Sequence, residues 1–220
     1  MSKENAINFV LDLGEVALDS IMENEILEAI PVLGSVHKSF KIGHSISDAL
    51  LLRKLKTFLD ELDNQSTEEK KEMIYEIENQ KGYADKIGLQ LIEFLNRCDD
   101  HDKPQLIAVL FKAYIMSKID LDRFLKYASI ISNVFIGDLE KFCFLSTVKG
   151  PKNKSDVSSL LSAGLLEINS KAIGKAEALG GIGRRNDISY EPNEYGYELI
   201  ELIKMSKLYE SWVIKENPQH

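Results

Sequence analysis

Two stretches near the C-terminus decide the fold: VSSLLSAGLLEIN (157–169) and, after a glycine-rich interval, ISYEPNEYGYELIELI (188–203). The first predicts a short helix that starts from an N-cap at Ser155 and is stopped by Gly164; a strand-like run through Leu165, Leu166 and Ile168 follows. The interval KAIGKAEALGGIGRRND (171–187) holds four glycines and six charged residues, which suits a loop or a hairpin tip. ISYEP supplies a second short strand. NEYGYELIELIKMSKLYESWVI then reads as one closing helix, with Tyr197, Leu199, Ile200, Ile203, Leu208 and Trp212 as its core face. Upstream, DLEKFCFLSTV (138–148) reads as a helix and KGPKNK (149–154) as a polar link.

The first 136 residues predict helices joined by short links, and therefore a helical bundle. Residues 5–29 carry Ile7, Val10, Leu11, Val16, Leu18 and Ile21 at roughly helical spacing, with Gly14 as a weak point. Pro31 disfavours helix at Ile30. Residues 45–62 place Leu51, Leu55, Phe58 and Leu62 at i, i+4, i+7 and i+11, with Arg53, Lys54 and Lys56 mostly off that stripe. Ser66 and Glu69 fit a capping box for a helix over 67–79 with Met73, Ile74 and Ile77. Helices over 83–97 (Ile87, Leu91, Phe94, Leu95), 103–117 (Leu106, Val109, Leu110, Ala113, Tyr114) and 120–134 (Leu121, Phe124, Leu125, Ala128, Ile131) follow. Asp102 is the expected N-cap of the middle one, with Pro104 in its first turn. The expected architecture is mostly α: a helical bundle over 1–136, then a module over 137–220 with a small β-hairpin.

A chain of 220 residues is long enough to bury a core without staples. With 44% hydrophobic and 28% charged residues it has the composition of an ordinary soluble protein. Its two cysteines, Cys98 and Cys143, exclude a disulfide scaffold and suit a reducing compartment. No basic n-region with an apolar core opens the chain, and no window of about 18 residues lacks charge, so a cytoplasmic location is expected. The net charge of −8 argues against a surface given over to nucleic acid. That average hides blocks. Residues 29–58 hold five basic residues against one acidic, residues 60–80 eight acidic against two basic, and residues 141–185 eight basic against three acidic. Adjacent blocks either neutralise one another or offer a polyanion two local sites.

The order helix, Gly-Leu-Leu, strand, basic glycine-rich loop, strand, closing helix with an early glycine resembles the winged-helix domain of many bacterial regulators. The resemblance covers about 140–215. It implies a recognition helix over Lys154 to Ala163 and a wing over Lys171 to Asn186; in DNA-binding members the helix enters the major groove and the wing touches the backbone. The residues this assigns to nucleic acid are Lys152, Lys154, Ser155, Ser158, Lys171, Lys175, Arg184 and Arg185. The helix departs from DNA readers in carrying no Arg, Asn or Gln for base edges. The N-terminal part resembles uncharacterised bacterial proteins with a Pro-x-x-Gly segment (Pro31-Val32-Leu33-Gly34) and a basic Leu-rich helix ending in Phe58-Leu59. That resemblance implies a mobile-element or phage-defence setting and brings no chemistry with it.

No catalytic constellation stands out. Asp99, Asp100, His101 and Asp102 adjoin one another and suit a solvated loop better than a metal site. His37 and His44 lack a carboxylate or cysteine at helical spacing. GGIGRR lacks the Lys-Ser/Thr of a phosphate-binding loop. A nucleophile role for either cysteine has no support in the sequence. No metal or cofactor is expected, and no small-molecule substrate is evident. The apolar run 29–36 with the basic face that follows could meet an anionic membrane or a second chain, through Val32, Leu33, Lys38, Lys41, Arg53 and Lys54. The leading expectation is a non-enzymatic bacterial interaction protein, an effector or adaptor in defence, whose winged module docks a protein partner or nucleic-acid backbone. A DNA-binding regulator and a membrane-acting, pore-forming toxin are the alternatives.

Overall fold

The computed structural model describes residues 3–22, 24–30, 33, 45–79, 81–145, 158–168 and 190–216. The chain is mostly α, with a small antiparallel pair of strands near its C-terminus among the described residues, as the order of sequence signals predicts. It divides into two compact units, Met1–Asn133 and Val134–His220.

The first unit holds α1 (Lys3–Met22), α2 (Glu25–Ala29), α3 (Ile46–Asp63), α4 (Thr67–Asn79), α5 (Lys81–Arg97), α6 (Lys103–Ile115) and α7 (Leu121–Asn133). The single helix expected over 5–29 is broken at Asn24. Its side-chain oxygen accepts from the Ile26 and Leu27 amides at 3.0 and 3.1 Å, which starts α2 with its own cap. The helix then stops at Ile30, whose extended backbone is what the following proline demands. The Ser66–Glu69 box forms reciprocally: the Ser66 amide donates to the Glu69 carboxylate at 3.1 Å and the Glu69 amide to Ser66 Oγ at 3.3 Å. Asp102 corrects a sequence expectation. It sits at the N-cap position of α6 but makes no side-chain cap, because its backbone is already helical.

α6 is buried over most of its surface, with Gln105, Lys112 and Tyr114 only half-buried, and the other helices gather round it. Phe111 meets Phe58 of α3 at 5.7 Å and Phe124 of α7 at 6.0 Å, and Phe124 meets Phe94 of α5 edge-on at 6.5 Å. These ring contacts fix four helices on one aromatic centre. α1 and α3 run in the same direction. Gly14 lies on Ala49, and further along both chains Asn24 donates to the Asp63 carboxylate. Two residues placed on the α1 core stripe do not belong there: Ile7 is 42% and Val16 64% exposed, because the buried face is Gly14, Ala17, Leu18 and Ile21.

The second unit holds α8 (Ile136–Leu145), α9 (Ser158–Ser162), β1 (Leu166–Ile168), β2 (Tyr190–Pro192), α10 (Glu194–Ile203) and α11 (Lys207–Glu216). The strands pair Leu166 with Pro192, Glu167 with Glu191 and Ile168 with Tyr190. The single closing helix expected from the sequence is two. Ser206 is buried, donates to the Ile203 carbonyl at 2.6 Å and accepts from the Tyr209 amide at 3.3 Å, ending one helix and starting the next. Tyr197, expected in the core, is 50% exposed.

Gly14 is therefore a packing requirement rather than a weak point. A Cβ there would stand 2.6 Å from Ala49 Cβ and 2.9 Å from Ala49 Cα, so one of the two helix backbones would have to move. Gly14→Val is expected to lower the unfolding free energy of the N-terminal unit by about 1–3 kcal/mol, read by urea denaturation, despite the better helix propensity of the new residue.

Candidate functional site

Of the segment 154–163 expected to form a recognition helix, the described residues form the short helix α9. Leu160 is buried, while Ser158, Leu161 and Ser162 are exposed. Ser159 Oγ donates to Asp138 Oδ2 at 2.6 Å, which holds α9 to α8. Gly164 takes the left-handed conformation (φ 72°), and the Leu165 amide reaches back to the Leu160 carbonyl at 3.1 Å, a Schellman-type end. The chain then enters β1 directly.

Asn193 joins the strand pair to the helix that follows. Its amide donates to the Leu165 carbonyl at 3.1 Å and its Nδ2 to the Gly164 carbonyl at 2.9 Å; its Oδ1 accepts from the Gly196 amide at 3.0 Å. Gly196 packs against the same Leu165 carbonyl, where a Cβ would lie 2.3 Å from the oxygen and 3.1 Å from both Phe142 and Pro192. This is the early glycine of the closing helix, and its small size is what lets α10 settle on the end of α9.

Of the residues assigned to nucleic acid, Ser158 alone is among the described residues, and it opens α9. Lys152, Lys154, Ser155, Lys171, Lys175, Arg184 and Arg185 lie outside them, as do His37, His44 and the GGIGRR segment. The described residues of the second unit carry nine acidic side chains against four lysines. Tyr195, Tyr197, Leu161, Met205, Phe135 and Ile214 are all exposed there.

In the set assigned to a membrane or a second chain, Val32, Lys38 and Lys41 lie outside the described residues. Leu33 is fully buried, so its side chain serves the core and offers nothing to a lipid surface. Lys54 Nζ donates to the Asn96 carbonyl at 3.0 Å, plugging the C-terminal end of α5. Arg53 is half-buried at the side of α3. No helix among the described residues is long and apolar enough to cross a membrane.

The acidic loop after α5 resolves into an anchor. Asp99 pairs with Lys103, which holds its carboxyl below the usual range. Lys103 is fully buried, and its Nζ also reaches the Ser132 carbonyl near the end of α7 at 3.4 Å. Sequence reading missed this lysine, since nothing in its spacing distinguishes it from a surface cation. Among the described residues no three His, Cys, Asp or Glu side chains gather as metal ligands would. The thiols are not poised for chemistry: burial pushes Cys98 and Cys143 up to about 12, against the opposing pull of Lys103 and of Lys204 respectively.

Compared with known proteins, the chain matches no family model, no curated protein and no solved structure.

Two outcomes follow. Gly196→Ala is expected to destabilise the C-terminal unit by about 1–3 kcal/mol, seen as an earlier thermal transition; an unchanged melt would contradict the contact with Leu165. Both thiols are expected to react with a chromogenic disulfide only after denaturant is added. Because the folded thiols keep their protons above the unfolded value near 9, their contribution to stability is present below pH 9 and declines from there towards about 12. Cys98→Ala/Cys143→Ala should flatten that alkaline decline.

Proposed function

We propose that this chain is a non-enzymatic interaction protein whose C-terminal unit, built in the manner of a winged helix, docks a protein partner. The observation that carries the reading is the chemistry of α9. The helix that in DNA-binding members faces base edges offers here Leu161 and serines, with no guanidinium or amide among its described residues. Around it the described surface of the unit is acidic and carries exposed tyrosines, a composition that repels a phosphate backbone and suits a protein interface. The exposed Leu161 would be the central apolar contact, with the exposed Tyr197 as an amphipathic one.

The winged-helix likeness itself rests on the order helix, turn at Gly164, strand, strand and glycine-bearing helix. The mobile-element and phage-defence setting rests on the N-terminal resemblance alone and makes an effector or adaptor role the finer form of the proposal. A membrane-acting role is disfavoured by the burial of Leu33 and the engagement of Lys54.

The test is affinity capture from native extract, with and without nuclease, comparing the wild type with Leu161→Asp. Leu161 is exposed, so the variant should melt within about 0.5 kcal/mol of wild type. A protein that survives nuclease on the wild type and is lost from the variant supports the reading. Capture that vanishes with nuclease, or that Leu161→Asp leaves intact, overturns it.

A further inference from the structure

α1 has two apolar faces, and among the described residues only one of them is buried. Gly14, Ala17, Leu18 and Ile21 are buried. Phe9, Leu13, Val16 and Ser20 recur at i, i+4, i+7 and i+11 on the other side; Val16 lies about 200° round the helix from Gly14, the residue that touches α3. Phe9 is 56% exposed, and Leu13 is half-buried between Phe9 and Val16. Asp12, Glu15 and Asp19 flank this stripe, all exposed. No Lys or Arg stands between Lys3 and Lys38, so past its first residue α1 carries only acidic charge.

α3 carries the matching pattern. Ile46, Leu50, Arg53 and Thr57 fall at the same i, i+4, i+7 and i+11 spacing, away from the core face of Leu52, Leu55, Phe58 and Leu62. Ile46 and Leu50 are both exposed. The other two cations of the helix are engaged, Lys54 with the Asn96 carbonyl and Lys56 with Asp60, whereas the Arg53 guanidinium has no ion pair with a described residue.

Laid side by side and parallel, the stripes agree layer by layer. Phe9 meets Ile46 and Leu13 meets Leu50. Val16 lies level with Arg53, so Asp12 and Asp19, one turn to either side of Val16, bracket the guanidinium. Ser20 meets Thr57. The antiparallel arrangement would set Phe9 on Thr57 and Ile46 on Ser20, apolar against polar. We propose that the outer face of α1 in one copy packs parallel against the Ile46–Leu50–Arg53 face of α3 in a second copy, so that the chain self-associates head to tail. The two faces are different surfaces, so the contact is heterologous and builds a ring if the rotation closes and a filament if it does not. With two apolar layers and one charged layer it is a small interface, and the association is correspondingly weak and dependent on concentration and salt.

The experiment is sedimentation velocity on the full chain at low salt, over roughly 2 to 200 µM, the range where a small interface acts. The weight-average sedimentation coefficient of the wild type should rise with concentration. Asp12→Arg/Asp19→Arg makes both faces positive and Arg53→Glu makes both negative, so each variant alone should stay at the monomer value. Their equimolar mixture should associate again, since each positive face then finds a negative one, and the triple variant should associate by itself. A wild type that stays monomeric over the whole range overturns the proposal. So do single-sign variants that associate like wild type, or a mixture and a triple variant that both remain monomeric.

Discussion

Gly196 sits so close to the carbonyl of Leu165 that a methyl group would not fit between them, and Asn193 donates two hydrogen bonds to the same turn and accepts one from the Gly196 amide. The C-terminal unit depends on this meeting point. Through it the end of α9, the start of β1, the end of β2 and the first turn of α10 are held as one piece. Because α10 is locked there, its buried residues Leu199, Ile200 and Ile203 line one side while Tyr195 and Tyr197 are turned outwards. Because α9 is closed by a left-handed glycine, its short exposed face is presented at a fixed angle to the strands. A structural contact of one missing carbon thus sets which side chains the unit shows to the outside.

The N-terminal unit relies on the same device on a larger scale. Gly14 lets α1 lie against Ala49, and the apolar helix α6 supplies the aromatic centre on which α3, α5 and α7 converge. Buried lysine is used sparingly and locally: Lys103 is paired with Asp99 and aimed at a carbonyl near the end of α7, which is how an ammonium is tolerated at zero exposure. None of these groups is arranged to do chemistry. Burial favours the protonated form of both thiols.

The helices were legible because a 3.6-residue apolar period is a strong signal, and the strands because glycine and a change of period bracket them. The Ser66–Glu69 box was legible for the same local reason. What escaped were features decided by a neighbour far along the chain. Gly14 looks like a helix breaker until Ala49, 35 residues on, is seen against it. Val16 looks like core because α1 carries two apolar stripes, and periodicity alone does not say which one the bundle covers. The breaks at Asn24 and Ser206 were within reach, since each is a capping residue inside an apolar pattern, but the flanking periodicity overrode them. For the candidate site, Gly164 and Gly196 were readable from position, whereas the basic residues expected to touch nucleic acid lie, Ser158 apart, outside the described residues.

The proposed preference of the C-terminal unit for protein over a nucleic-acid backbone is open to a direct test. The most direct test is a titration of the full chain against a labelled duplex of about 20 base pairs, followed by fluorescence anisotropy at several salt concentrations. The account predicts no saturable rise in anisotropy even at low salt. Saturable binding that weakens steeply with salt, and that Arg184→Ala/Arg185→Ala abolishes, would contradict it.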